Sequence, residues 1–303
     1  MKIIEGKTEF QLNEKTAVAI GKFDGIHLGH HKLLDEIVLA KDRGLKATVF
    51  TFDPAPSVYF GTEDDKALTT RDEKRAILAS MGVDYLIEYP MNDTTSKVSA
   101  QDFIEQFLVG YMNAAYIICG DDLSFGYKGQ GDYGLLEKYQ DKYGYIAKEI
   151  SKVCHNGSVI SSTRVRNAVT NGDMAEVTAM LGRPYSFIGN IVHGAHLGTG
   201  IGFPTINLLP ADNKILPPCG VYYSRTIIGG ETIKSITNVG FKPTVSDVKQ
   251  PGIETHLYDF NEDVYGEDAL VELLEFKRPE MHFGSVDELK IALAKDVEEG
   301  RRY

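Results

Sequence analysis

Three histidines fall within five positions of GKFDGIHLGHHKLL (residues 21–34): His27, His30 and His31. Imidazoles grouped this way can ligate a metal, donate hydrogen bonds to an anion, or simply fill a turn. A zinc site wants three or four ligands, and no later Cys/His cluster completes one. Gly25 and Gly29 allow close approach of backbone to a phosphate, and the apolar pattern that follows opens a helix whose free N–H groups favour an anion. A second cluster, ISSTRVRNAV (160–169), sets two serines and a threonine before a helical run with Arg164 and Arg166 in its first turn. Hydroxyls there can cap the helix and bind phosphate, and guanidinium groups clamp phosphate oxygens. The plain alternative is a capped helix with solvent-facing arginines.

Two further stretches carry chemistry. HLGTGIGFPTINL (196–208) holds Gly198, Gly200 and Gly202, with Gly194 just ahead of it. Such a loop can wrap phosphates; Pro204 stiffens its turn, and Thr205 and Asn207 offer oxygen ligands suited to Mg²⁺. GIETHLYDF (252–260) places Glu254, His256 and Tyr258 on one strand face by period two, with Ile253 and Leu257 turned toward the core. A rim-facing Glu254 is a candidate general base. A flexible hairpin and an exposed edge carboxylate are the corresponding plain alternatives.

The elements that must position these residues alternate from residue 16 to about 185. AVAIG, KATVFTF, VDYLIEY, AAYIICG and GYIAKEI read as strands. Between them, HKLLDEIVLAKDRG puts Leu33, Leu34, Ile37 and Val38 on one helical face and stops at Gly44. TRDEKRAILASMG is opened by Thr70 and closed by Gly82, and SAQDFIEQFLVG is capped by Ser99 with Asp102 three residues on. Apolar strands alternating with helices predict an α/β half, a parallel sheet covered by helices. His27 and His30 then lie at a strand-to-helix junction on the sheet's carboxyl edge, where ligands prefer to bind. After LGRPYSF (181–187) the helical periods stop. Short strands separated by Gly, Pro and Asn turns follow, and SVDELKIALAKDVEEG closes the chain as a helix. This predicts a small C-terminal β-barrel with a terminal helix, and domains at 1–185 and 186–303.

The bulk numbers bound the function. With 303 residues and a formal net charge of −11, the chain suits two domains and argues against a general nucleic-acid binder. Cys119, Cys154 and Cys219 are too sparse for a disulfide framework or a zinc site. MKIIEGKTEF has no apolar signal core, and no run approaches eighteen apolar residues, so a cytoplasmic protein without membrane attachment is expected.

Taken together the motifs become specific. H-x-G-H followed by I-S-S-T-x-x-R is the signature of the class I nucleotidyltransferases. In order, GKFDGIHLGHHKLL, TFDPAP (51–56), CGDDLSFG (119–126) and ISSTRVR resemble the adenylyltransferase half of the bacterial bifunctional riboflavin kinase/FAD synthetase family, over roughly residues 14 to 185. GIGFPTINL, GVYYSRT, NVGFKPTV, ETHLYDFNEDVYGE and FKRPEMHF resemble its riboflavin kinase domain across nearly all of 186–303.

The resemblance implies a Rossmann-like nucleotidyltransferase sheet before the barrel, with riboflavin, FMN and ATP as substrates and Mg²⁺ as cofactor. It implies that FMN phosphate attacks the α-phosphorus of ATP and pyrophosphate leaves. His27 and His30 would donate to the triphosphate, on a cradle formed with Phe23, Asp24, Gly25 and Gly29. Ser162, Thr163 and Arg166 would hold the leaving phosphates. Asp53 and Asp122 are the candidates for flavin contact. In the second half, Gly202, Pro204 and Thr205 would bind ATP, Thr205 and Asn207 the metal, and Glu254 would take the proton of the terminal ribityl hydroxyl. The chain departs from the family pattern at Lys22 (commonly Asn), Ala55 (His), Leu123 (Phe), Thr199 (Arg) and Lys277 (Leu). The first three motivate one alternative, a kinase whose first half is inactive. The other, a flavin- or nucleotide-binding regulator without turnover, is disfavoured by Glu254, because binding alone needs no base.

Overall fold

The computed structural model describes residues 1–194, 202–243 and 249–303. Gly198, Thr199 and Gly200 lie outside the described residues. By contacts the chain divides into Met1–Ser161 and Ser162–Tyr303. The expected division at residue 185 differs from this by two helices, α6 (Ser162–Thr170) and α7 (Met174–Leu181), which group with the second unit. The reason is packing: α7 lies against the second unit's strands and α6 against α7.

In the first unit, β1 (Lys2–Glu5), β2 (Thr16–Ile20), β3 (Lys46–Asp53), β4 (Tyr85–Pro90), β5 (Ala114–Gly120) and β6 (Ile146–Ile150) form one sheet in the order β1-β4-β3-β2-β5-β6. Every pairing is parallel. The sequence reading found all of these strands except β1, a four-residue edge strand. Every residue of β2 is buried. Its side chains alternate between two cores, Ala17 and Ala19 on one face, Val18 and Ile20 on the other. The first face is covered by α1 (Leu28–Leu39), through Leu33, Leu34 and Ile37, and by α3 (Arg71–Ser80), through Leu78; a short α2 (Pro56–Tyr59) precedes α3.

The second face is covered by the helix that starts as α4 (Ala100–Asp102) and by α5 (Tyr133–Tyr143). Beyond Asp102 the predicted α-helix continues instead as a π-helix, Phe103–Tyr111, ended by the five-residue hydrogen bond Met112 N–H to Phe107 O at 2.9 Å. The wider turn faces Phe103 and Phe107 together onto the sheet, their rings 5.4 Å apart. From β2 the chain winds outward to β3 and β4, then returns past β2 to β5. The direction reverses beside β2, so the switch point where ligands bind lies at the carboxyl end of β2, next to Gly21. A small hairpin of β7 (Cys154–His155) and β8 (Ser158–Val159) turns through Asn156 and Gly157, both at positive φ.

In the second unit, β9 (Tyr185–Asn190), β10 (Ile206–Leu208), β11 (Gly220–Ile228), β12 (Glu231–Pro243), β13 (Lys249–Leu257) and β14 (Asp268–Pro279) pair antiparallel in the order β10-β13-β12-β11-β14-β9. A bridge between Val192 and Asn207 joins the two ends and closes the sheet into the expected barrel. Its interior holds apolar residues such as Ile253 and Leu257, and a set of buried hydroxyls. Ser224 bonds Ser235 and Thr237 at 2.8 Å, and Thr237 bonds Thr255 at 2.9 Å, so these polar groups are satisfied without water. The terminal helix α8 (Val286–Gly300), capped by Ser285, packs Val297 on the outer face against Val221, Tyr223, Ile236 and Tyr258.

Candidate active sites

The turn after β2 is backbone made unusual by its side chains. Phe23, Gly25 and Ile26 all have φ between 43° and 80°. For Phe and Ile this left-handed conformation costs on the order of 1–3 kcal/mol each. Both side chains are fully buried under α1 and α3, a gain of about 1.5–3 kcal/mol each that offsets the strain. Asp24 is only 4 % exposed, and its Oδ1 accepts from the N–H of Leu68 at 2.9 Å and of Thr69 at 3.4 Å. The Gly25 N–H donates to Thr69 Oγ1 at 3.2 Å. The loop before α3 thus grips the turn, and the Asp24 carboxylate is engaged in that bracing.

The turn delivers His27 as the N-cap of α1, where its Nδ1 accepts from the His30 N–H at 3.4 Å. With Nδ1 accepting, the neutral ring carries its proton on Nε2. Burial pushes the His27 pKa down to about 4 against the opposing pull of Asp24. Burial, with the neighbouring charge of His27 and Lys74, pushes His30 well below the ordinary imidazole range. The two rings stack at 3.8 Å, and Phe23 backs His30 at 5.2 Å. His30 Nδ1 is buried and has no hydrogen-bond partner among the described residues. Gly29 makes room for this stack: a Cβ there would sit 3.0 Å from the His27 ring, a tight contact. Two neutral imidazoles at a helix start form a donor site for an anion. Among the described residues no group of three or more His, Cys, Asp or Glu is placed to hold a metal ion.

The other predicted residues of the first half are placed as follows. Asp53 is ion-paired with Arg71. Asp122 is exposed, 3.4 Å from Lys152 Nζ, and its charge reaches His27. Lys22 is paired with Glu63 and lies 3.3 Å from Ser57 Oγ. Ala55 caps α2, and Leu123 packs against the core on the α4 face. Ser162, Thr163 and Arg166 lie on the first turns of α6, and Arg164 is paired with Glu176 of α7.

In the second unit, Glu254 is the middle of three outward positions in register across neighbouring strands: Asn207 on β10, Glu254 on β13 and Asn238 on β12. Thr205 Oγ1 donates to Glu254 Oε1 at 2.8 Å. His256 Nδ1 lies 2.8 Å from Pro204 O; the carbonyl only accepts, so Nδ1 carries the proton and the ring pins the turn that presents Thr205. Gly202 adopts φ +87°, open to solvent. Asn207 is 3 % exposed, and a Cβ at Gly194 would collide with its amide, so glycine there makes room for the Asn207 side chain beside Glu254.

Thr205, Asn238, Glu254 and His256 lie on the wall of a cavity of about 500 Å³. Phe203, Val221, Ile236, Phe283, Leu289 and Leu293 give it apolar walls, as in small-molecule sites. Arg278, bonded to the buried Asp296 at 2.7 Å, ties β14 to α8 and fixes one wall. Lys277 strengthens the same tie through Glu299. Sequence reasoning gave no role to Asn238 or to Glu280, which accepts from Asn238 Nδ2 at 3.1 Å. The available signal was Gly240, where a Cβ would strike the Glu280 carboxylate.

A sequence model of the FAD synthetase family matches residues 9–164, and one of the riboflavin kinase family matches residues 181–303. The curated bifunctional riboflavin kinase/FMN adenylyltransferase of Escherichia coli is 35 % identical over 100 % of this chain and 98 % of its own. Those of Listeria monocytogenes and Bacillus subtilis are each 34 % identical, covering 94 % and 95 % of this chain and 91 % and 92 % of theirs. A solved structure titled a macrolide-efflux protein from Streptococcus pneumoniae superposes with a TM-score of 0.86 at 29 % identity, over 100 % of this chain and 99 % of that one.

Proposed function

Because this chain belongs to the family of bifunctional riboflavin kinase/FMN adenylyltransferases, we propose that its two residue sets divide the family's two reactions between them. The chain is a transferase that phosphorylates riboflavin to FMN with ATP and adenylylates FMN to FAD, releasing pyrophosphate. We assign the first reaction to residues 186–303 and the second to 1–185.

In phosphorylation the terminal ribityl hydroxyl attacks the γ-phosphorus, its O–P bond forms, and ADP leaves. The hydroxyl is neutral, so its proton must be taken up, and Glu254 takes it. Support comes from the position of Glu254 on the cavity wall, flanked by Thr205, Asn207 and Asn238. Gly202 and Pro204 shape the ATP-binding turn. The oxygen donors of Thr205 and Asn207 suit Mg²⁺, which keeps several waters and phosphate oxygens and needs few protein ligands. When bound it neutralises phosphate charge.

In adenylylation the FMN phosphate, already an anion, attacks the α-phosphorus and pyrophosphate leaves, so positioning and charge stabilisation suffice. The cradle at residues 23–30 supplies Nε2–H of His27 and the His30 ring; Phe23, Asp24 and Gly25 hold its shape, and Gly29 admits the stack. Ser162, Thr163 and Arg166 take the leaving phosphates, supported by their hydroxyl and guanidinium chemistry. Asp53 and Asp122 are proposed to face the flavin. The acidic chain disfavours a general nucleic-acid partner, and among its described residues no helix is long and apolar enough to cross a membrane.

The observation that carries this reading is the presence of both residue sets in one chain. Chromatography of products from riboflavin or FMN with ATP and Mg²⁺ tests it. His30→Ala is expected to lose FAD and keep FMN formation. Glu254→Gln is expected to lose FMN formation and still make FAD from added FMN. Equal loss of both products in either folded variant refutes the division.

A further inference from the structure

We propose that Lys74 is a phosphate-binding residue of the adenylylation site, its ammonium meeting nucleotide phosphate charge at the turn that carries His27 and His30. This rests on the reading of that turn as a triphosphate cradle. Lys74 lies on α3, half-buried, and its Nζ donates to the Lys22 carbonyl at 3.2 Å, at the entrance of the turn. An ammonium has three N–H donors, and this is the hydrogen bond described for it. Among the described residues no carboxylate lies within ion-pair distance.

Three carboxylates act on Lys74 through space, Asp24, Glu88 and Asp53. Each is engaged elsewhere: Asp24 by the amides of Leu68 and Thr69, Glu88 by Arg75, and Asp53 by Arg71. Lys22, the other cation that reaches it, is paired with Glu63. Lys74 is therefore a partly desolvated cation with no carboxylate in direct contact among the described residues, an arrangement that favours a bound anion. Its field already reaches His30, favouring the neutral ring. His30 Nδ1 is a second unmet polar group at the same turn. A cation beside neutral N–H donors is a donor set for a polyanion such as the ATP triphosphate.

The test separates charge from the hydrogen bond to Lys22. Lys74→Gln keeps a donor for that carbonyl and removes the charge; Lys74→Arg keeps the charge. In the full-length protein, Lys74→Gln is expected to raise the KM for ATP in FAD formation at least tenfold. Inhibition of that reaction by adenosine, which has no phosphate, should be unchanged, and so should riboflavin phosphorylation. Its melting temperature should stay level or rise, because a partly desolvated charge with no direct ion pair is gone. Lys74→Arg should restore the KM to within about threefold. A wild-type KM in Lys74→Gln overturns the proposal, as does equal weakening of ATP and adenosine or a lowered melting temperature, which mark a structural role. His30→Ala in the same assay distinguishes the premise: if it keeps FAD formation, the cradle reading fails; if it loses it while Lys74→Gln is unaffected, only the role of Lys74 fails.

Discussion

Replacing Gly29 with alanine should damage one reaction of this enzyme while leaving its stability nearly unchanged. The added Cβ would lie 3.0 Å from His27 Cε1 and Nδ1. Carbon contacts are optimal at about 3.5–4.0 Å, so a gap of about half an ångström must open. Gly29 is held in the first turn of α1, so the imidazole must turn away. Turning withdraws Nδ1 from the His30 N–H and breaks the 3.8 Å ring stack. Loss of the cap costs about 1 kcal/mol. Alanine in place of glycine in a helix returns about 1 kcal/mol. The two nearly cancel, so the melting temperature should move by only a few degrees. A donor misplaced by about 1 Å costs on the order of 100-fold in rate, so about half that shift costs on the order of tenfold. Gly29→Ala is therefore expected to make FAD from FMN about tenfold more slowly, with riboflavin phosphorylation at the wild-type rate. Initial rates from the two substrates, read by chromatography beside a thermal melt, decide it. A wild-type FAD rate in the folded variant refutes the assignment of His27.

His27 also predicts a pH dependence. The unfolded chain takes up a proton on this residue near pH 6.5, the native chain only near pH 4. The native state therefore loses stability as pH falls from about 6.5 to about 4, by on the order of 3 kcal/mol from this residue at full extent. An NMR titration of the His27 ring should give a midpoint near 4, rising when ATP is bound; a midpoint at 6.5 in the free protein contradicts the buried neutral ring. Gly194→Ala is expected to displace Asn207, raise the Mg²⁺ concentration needed for FMN formation at least tenfold, and leave FAD formation from FMN intact. An unchanged Mg²⁺ requirement would remove Asn207 from the metal site.

Much of this was legible in the sequence, because local signals and global fold agree. Thr70 forms a capping box with Glu73, Ser99 caps α4, and Gly44 takes the left-handed φ that ends the first helical segment. Other features depend on contacts that no local pattern encodes. The four residues of β1 gain their identity as a strand from pairing with β4, far along the chain. The Asn156-Gly157 hairpin carried a readable signal that went unused. The reason for Gly29 was only half legible: its lack of a side chain was evident, but the neighbour it makes room for is the His27 ring. Lys74 was invisible as anything but a polar position on an amphipathic helix, since its isolation is a property of where Asp24, Glu88 and Asp53 find their partners.

The two sites differ in their carboxylates in the way their reactions require. Deprotonating a neutral hydroxyl calls for a base that can reach the substrate, and Glu254 lies on the cavity wall with Thr205 bonded to one oxygen. An anionic phosphate calls for none, and a free carboxylate beside it would repel it. At the first turn the Asp24 carboxylate is buried with two backbone N–H groups on Oδ1, stabilised in place and turned to structural use. The histidines there are kept neutral by burial. A charge imported into the cradle by Asp or Glu at position 25 or 26 should therefore impair FAD formation more than the isosteric amide at the same position. That difference, measured between the paired acid and amide variants, isolates electrostatics from shape because each pair shares the same strained backbone.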